Sequence, residues 1–328
     1  MKDLVTVFGG SGFLGRHIVR ALARRGRRVR VAVRGPGAAY RLPLMGDVGQ
    51  IQIVQANIRD DDSVARALEG AEACVNAVGV LWEAGRQTFA GLHAEGAGRV
   101  AAAAARAGAN RLAHISAIGA DASAKAAYAR SKAEGEAATR SAFPGATILR
   151  PSVVFGPEDA FFNRFAAMAS GFPAVLPLIG GGKTRLQPVF VGDVAAAVAA
   201  ALEAPEAAGR AYELGGPGIY SFEALMRLIL QVTGRRAALI PLPFGVAELI
   251  GRFGDLAGRT GLIAPPLTRD QVLMLQTDNV VARGALGLAD LGVEATSVES
   301  VVPSYLYRYR PGGQYADEFR AALPATQA

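Results

Sequence analysis

Cysteine is almost absent: the chain of 328 residues holds one, Cys74. A disulfide framework is therefore excluded, and a reducing compartment fits. Histidine is scarce too, at three residues. With no cysteine pair and no clustered acidic ligands, the expected metal-ligating set is none. Long hydrophobic runs are missing, and none approaches the roughly 20 residues of a spanning helix. Met1-Lys2-Asp3 runs straight into an apolar strand. This leaves no room for a signal peptide and predicts a chain that stays on the cytoplasmic side of any membrane it meets. Internal repeats and nucleic-acid motifs are lacking, so no nucleic-acid partner is expected.

What the chain has in quantity is glycine (40 residues), apolar residues (51%) and an excess of positive charge, net +7. The length suits one large α/β unit or a core with a smaller lobe. Part of the basic excess sits in Arg24-Arg25 and Arg27-Arg28. Such clusters serve as solvated helix ends, or they favour anionic ligands, acidic partners or an anionic membrane surface.

The first stretch is the most informative. Val5-Thr6-Val7-Phe8 enters Gly9-Gly10-Ser11-Gly12-Phe13-Leu14-Gly15, and after Arg16 the residues Ile18, Val19, Leu22 and Ala23 recur at helical spacing. This reads as strand, glycine turn, helix start. Glycines spaced in this way let backbone N–H groups approach a pyrophosphate at the positive end of a helix dipole. A glycine-rich structural turn is the plainer alternative.

Apolar β runs then alternate with helical patterns. Strands are expected at residues 29–33, 51–55, 73–77, 111–115 and 147–149, with helices at 63–68, 96–107 and 123–141. Alternation of this kind predicts a doubly wound parallel sheet, the NAD(P)-binding Rossmann fold of the α/β class. Beyond residue 150 proline becomes frequent. Residues 188–191, 192–202 and 211–214 read as strand, helix and strand returning to the core. Helices at 222–232, 245–257 and 269–275 suggest a smaller, mostly helical lobe. The expected division is a nucleotide core over 1–155, rejoined by 185–216, and a lobe made of 156–184 and 217–328. Residues 324–328 are expected to be disordered.

Residue types at the strand ends suggest chemistry. Where an NAD site usually carries an acidic residue for the ribose, this chain has Val33-Arg34-Gly35. A guanidinium suits a 2′-phosphate, with Arg16 as a second cation in reach, so NADPH is favoured over NAD. Asn57 and Ile58 follow strand three, where they would meet the adenine. Ala77, Val78 and Gly79 follow strand four, where small residues let backbone pass close to a cofactor. Ser116 ends strand five, and Tyr128 and Lys132 share one helix face, one turn apart. A nearby ammonium lowers a tyrosine pKa. In this reading Tyr128 exchanges a proton, Ser116 orients it and Lys132 also holds the nicotinamide ribose. A plain helix-surface pair is the bland alternative.

Together these residues resemble the short-chain dehydrogenase/reductase superfamily in its extended or atypical branch. The segments 149–156, with Pro151, Ser152 and Val153, then 188–195 and 212–217 strengthen the resemblance, which covers residues 1 to about 217. It implies that the first of these segments lies beside the nicotinamide and the second supports the lobe. A narrower resemblance spans nearly the whole chain. Val78-Gly79-Val80-Leu81, Ser116-Ala117-Ile118-Gly119-Ala120, Phe161-Phe162-Asn163-Arg164-Phe165 and Pro303-Ser304-Tyr305-Leu306 are similar to the dehydrogenase-like accessory subunits of respiratory complex I, in their alphaproteobacterial form. That resemblance implies a bound NADPH without obvious turnover. It also implies core subunits of complex I near the quinone site as partners, and a peripheral place on the cytoplasmic face of the inner membrane. The intact Ser116, Tyr128 and Lys132 keep an NADP-dependent reductase, dehydrogenase or epimerase open, including one acting in quinone biosynthesis, and the fold also admits an NADPH redox sensor.

Two lobe segments bear on docking. Val246, Leu249, Ile250, Phe253, Leu256 and Ala257 fall on one side of a helix, and Glu248, Arg252, Asp255 and Arg259 on the other. The apolar side either packs on the core or lies on a membrane or partner. Tyr305-Leu306-Tyr307-Arg308-Tyr309-Arg310 interleaves aromatics with arginines. It is either an interface segment or an edge packed on the lobe.

Overall fold

Seven parallel strands form one sheet. In a computed structural model, which describes residues 3–259 and 265–315, β1 (Leu4–Phe8) is followed by α1 (Phe13–Arg24) and β2 (Arg28–Val33). Then come β3 (Ile51–Gln55), α2 (Asp61–Leu68), β4 (Ala73–Asn76), α3 (Glu95–Arg106), β5 (Arg111–Ile115), α4 (Ala127–Ala142) and β6 (Thr147–Pro151). After α5 (Phe162–Ser170) and α6 (Val191–Glu203), β7 (Ala211–Leu214) completes the sheet. The strand order is β7-β6-β5-β4-β1-β2-β3. Pairing is parallel throughout, with Val5 opposite Val29 on one side and Ala73 on the other. The order reverses between β1 and β4, which opens a crevice at the carboxyl ends of those strands.

Strand alternation divides the core between two layers. Val5, Val7, Val29, Val31, Ala73 and Val75 pack with Ile18, Val19 and Leu22 of α1 and Val194 and Val198 of α6. Phe8, Ala32, Cys74 and Leu112 face the other way, toward Val64 and Leu68 of α2 and Val100, Ala101 and Ala104 of α3. Burial pushes the Cys74 thiol far above its ordinary pKa, so this cysteine behaves as a small hydrophobe.

The lobe has its own apolar cluster, in which Phe155, Phe162, Leu176, Phe222, Met226, Val302 and Leu306 meet. It contains α7 (Phe222–Thr233), α8 (Phe244–Arg259) and α9 (Arg269–Met274). It also contains a parallel pair, Val175–Ile179 with Ala238–Leu242. That pair is not among the expected strands, because Pro177 and Pro241 interrupt both runs. Residues 188–191 were expected to give a core strand. Instead Val189–Phe190 pairs with Val154–Phe155 away from the main sheet, and α6 begins at Val191.

The packing alternative for α8 is overturned. Val246, Leu249, Ile250, Phe253 and Leu256 are exposed, Phe253 at 68% and Leu256 at 65%. The helix leans instead on a seam of small residues. Ala247 is buried, and a Cβ on Gly254 would strike the Leu267 carbonyl oxygen. The Arg259 side chain and residues 324–328 lie outside what is described. The Tyr/Arg segment folds onto the lobe. Tyr305 is buried and donates to Asp159 Oδ2 at 2.6 Å, Arg235 donates to the Tyr309 carbonyl at 2.8 Å, and Arg308 donates to Asn163 Oδ1. Burial, with the Asp159 carboxylate beside it, raises the Tyr305 phenol pKa. Only Tyr307 of its tyrosines stays exposed, at 41%. No helix among the described residues is long and apolar enough to cross a membrane.

Candidate functional site

The glycine turn closes the crevice floor. Gly9 takes a left-handed φ of 78°, and a Cβ there would lie 2.9 Å from the Ala77 carbonyl oxygen of the neighbouring crossover. Gly15 sits so close to the turn that a Cβ would collide with the Gly9 carbonyl. Both positions therefore require glycine. Gly12 caps α1 without any side-chain hydrogen bond, and no acidic residue stands in the first turn. The helix thus presents a bare positive end to the crevice, beside Ser11, Phe13 and Leu14. Arg16 folds back over this turn, donating to the Ser11 carbonyl at 3.4 Å and pairing with Glu158 at 3.7 Å. Arg34 is exposed at the end of β2.

The other expected contacts are unequal. The Asn57 carbonyl and N–H bond the Ser63 hydroxyl, and its Oδ1 accepts from the Arg59 backbone at 3.2 Å. Ile58 is buried against α3, where its terminal methyl would stand 2.6 Å from a Cβ on Gly96. Its side chain belongs to the apolar cluster on that face of the sheet. Ala77 and Val78 are partly buried behind the turn. At Gly79 a Cβ would come within 3.3 Å of Lys132 Nζ. Pro151 and Ser152 are buried, and Val153 packs against the lobe cluster. Ser152 donates to Asn279 Oδ1 at 2.5 Å, while Asn279 donates on to the Ile118 carbonyl at 3.3 Å. Ser152 therefore ties the sheet to the lobe.

Tyr128 and Lys132 do share the inner face of α4. Lys132 is buried and donates to the Ile115 carbonyl at 3.1 Å, with its ammonium 5.8 Å from the Tyr128 ring centre. Burial lowers its pKa to about 8, with Glu136 opposing. Burial first, then the Asp270 carboxylate, raise the Tyr128 phenol to about 12. At neutral pH the residue is a phenol, a donor rather than a base. The Ser116 hydroxyl is buried beside the Glu136 carboxylate.

Four neighbours were not foreseen. Phe89 stacks on His93 at 5.3 Å, and both meet the Tyr128 ring edge to face, at 5.8 and 5.4 Å. His93 Nε2 accepts from the Val80 N–H at 3.0 Å, so Nδ1 carries the proton and faces Ser131 Oγ at 2.9 Å. Burial first, then Lys132, hold the His93 pKa near about 2. Glu136 continues the Tyr128–Lys132 face by one more turn. Burial would raise its pKa, but Arg150, at 2.7 Å, and the nearby Ser116 keep it low. The spacing 128, 132, 136 was a readable signal for Glu136. Asp270 had none: it bonds the Ala127 and Tyr128 N–H groups from the lobe, at 2.6 and 2.9 Å. Its cleft, about 160 Å³, is lined by Trp82, Phe89, Ala127, Thr268 and Arg269 among others.

These features fit a dinucleotide. The glycine cradle and uncapped helix suit a pyrophosphate. The chain matches the NAD dependent epimerase/dehydratase family over residues 5–215. It belongs to that family. Within this NAD(P)-binding epimerase/dehydratase family, it is 36% identical over 324 residues to "NADH dehydrogenase [ubiquinone] 1 alpha subcomplex subunit 9, mitochondrial" of Rattus norvegicus, covering 98% of this chain and 84% of that one. Its homologues thus include complex I accessory subunits. It is 32% identical to "Ceramide reductase" of Caulobacter vibrioides over 74% of each chain. Among solved structures it resembles the NADPH-dependent quinone oxidoreductase QOR2 of Escherichia coli complexed with NADPH. There the TM-score is 0.71 at 22% identity, over 92% of this chain and 99% of that one. At that identity the likeness is one of fold.

Proposed function

We propose that this chain is an accessory subunit of respiratory complex I that holds NADPH as a structural ligand. One observation carries the reading: relatedness to the accessory subunit runs through the lobe as well as the core, over 98% of this chain, whereas the enzyme-family match ends at residue 215. The exposed apolar stripe of α8 supports the same reading, since a contiguous apolar patch at a surface marks an interaction site. Its occupant in this proposal is the core of complex I near the quinone site. The subunit then lies peripherally on the cytoplasmic face of the inner membrane, where a net charge of +7 favours the anionic lipid around it.

In this proposal Gly9, Ser11, Gly12, Phe13, Leu14 and Gly15 hold the pyrophosphate, and Arg16 is a second cation toward the 2′-phosphate. Arg34 meets the 2′-phosphate, and Asn57 stands at the adenine end. Ala77, Val78, Gly79, Pro151, Ser152 and Val153 line the nicotinamide side, where Ser116, Tyr128 and Lys132 face the ribose and ring. Bound only by the folded chain, the nucleotide stabilises it by mass action. A nicotinamide would supply a hydride, while the protein's own contribution would be the Tyr128 proton.

The second reading, an NADP-dependent reductase, is favoured by the retained Tyr128–Lys132 pair and by the reductase relative. Purifying complex I from the native membranes, releasing its nucleotide with acid and repeating with Tyr128→Phe distinguishes the two. The proposal expects the chain in the complex, NADPH in about equal amount, and assembly and respiration unchanged in the variant. Absence of the chain from the complex would sink it, and a respiratory or lipid defect in Tyr128→Phe would favour the reductase.

A further inference from the structure

The helix that carries Tyr128 and Lys132 does not cap itself. Ala126, at its N-cap, offers no acceptor, and the first turn holds no acidic residue. The acceptors come from 143 and 142 residues away, where Asp270 Oδ1 takes the Ala127 N–H at 2.6 Å and Oδ2 takes the Tyr128 N–H at 2.9 Å. A carboxylate bonded to two first-turn donors satisfies groups the helix leaves open and complements its dipole.

Asp270 is itself held firmly. It is the second residue of α9, which is closed by a complete capping box between Thr268 and Gln271. That helix is locked to α8. Glu248 reaches Arg269 at 3.9 Å and accepts from Gln276 at 2.8 Å, and a Cβ on Gly251 would stand 2.5 Å from the Arg269 nitrogen. A short rigid path therefore runs from the exposed face of α8, through the backbone of α9 and the Asp270 carboxylate, to the first turn of the helix under the nucleotide site.

We infer that Asp270 is a positioning residue that couples the α8 docking face to nucleotide binding, so that seating the lobe and filling the crevice favour each other. The inference rests on the reading that a nucleotide occupies the crevice. The reason is reciprocity: if ordering α8 and α9 fixes the first turn of α4, then a ligand that fixes α4 must order α8 and α9 by the same free energy. In this inference Asp270 acts through the position of Tyr128.

Hydrogen exchange on the full-length chain, with and without saturating NADPH, tests this. In the wild type NADPH slows exchange in residues 9–16 and 127–132, and also in 244–259 and 269–274. In Asp270→Ala the amides of Ala127 and Tyr128 exchange about tenfold faster, the factor expected when a helix cap is lost. NADPH still protects the glycine turn there, but no longer 244–259. Asp270→Asn keeps one acceptor and gives intermediate rates at the two amides, a graded response that general weakening of the lobe would not produce. It also carries the comparison if the alanine variant fails to fold. If NADPH protects residues 9–16 and leaves 244–259 and 269–274 unchanged in the wild type, the coupling is wrong while the nucleotide reading stands. If residues 9–16 are not protected, the nucleotide reading falls and the coupling with it.

Discussion

Two helix N-termini face the carboxyl edge of the same sheet and are finished in opposite ways. Helix α1 ends on Gly12 with no side-chain cap and no acidic first-turn residue. Helix α4 ends on Ala126, and its first two N–H groups are filled by a carboxylate from another part of the fold. A bare N-terminus in a closed crevice is a place for a ligand's anion. A filled one is a joint between parts of the protein. The difference teaches that one site is built for a mobile negative charge and the other has its negative charge built in.

The comparison can be broken at its tightest point first. Gly15→Val forces a side chain into the Gly9 carbonyl. We expect a loss of about 3 kcal/mol of stability, as overpacking costs, and no measurable NADPH binding by calorimetry. Retained binding would mean that the turn is not the cradle.

Next in size is a swap of finishes. Gly12→Asp places a carboxylate where α1 has none, and Gly12 already has extended backbone angles, φ −71° and ψ 173°. The variant should gain at most a few tenths of a kcal/mol of helix stability, because its Cβ would sit 3.2 Å from the Gly9 carbonyl oxygen, and lose about a hundredfold in NADPH affinity, roughly 2.7 kcal/mol. An affinity unchanged within a factor of three would show that no anion sits there.

The α4 side can be sharpened by pH. His93 is neutral in the fold, with its pKa lowered to about 2, whereas the unfolded chain protonates it near 6.5. The folded value lies below the unfolded one, so as pH falls through 6.5 only the unfolded state takes up the proton. Stability is then lost with falling pH, by about 2 kcal/mol from this residue between pH 7 and 5. Urea unfolding at the two pH values, with His93→Gln as the comparison, should show the variant less pH-sensitive by that amount. Equal slopes would argue that His93 already charges in the native state.

The smallest effect expected is at Arg34, which is exposed. Arg34→Ala should weaken NADPH about tenfold, roughly 1.4 kcal/mol, and leave NADH nearly unchanged. Equal losses for both nucleotides would remove the 2′-phosphate argument.

Much of the core was legible beforehand because its signals are local. A strand, a glycine turn and a helix follow each other within twenty residues of β1, and each β run names its own layer by alternation. Tyr128 and Lys132 were legible for the same reason, being one helical turn apart. The start of α4 was not. The expected helix over 123–141 begins only at Ala127, because residues 121–126 form turns in which Ser123 donates to Asp121 and Arg130 donates to the Ala124 carbonyl, and because the cap at Ala127 is supplied from the lobe.

The amino-acid sequence alone determined the parallel sheet and the glycine turn, since these follow from backbone conformation and short-range periodicity. Only the tertiary structure decided which face of α8 is covered. An amphipathic pattern states that one face is apolar, and the small residues Ala247, Gly251 and Gly254 offered the chain a second, closer-packing seam. It also decided the protonation of Tyr128, because the desolvation that raises its pKa to about 12 and the Asp270 carboxylate that adds to it come from elements assembled around the ring. A pKa depends on what surrounds a group in space, and only folding brings residue 270 to residue 128.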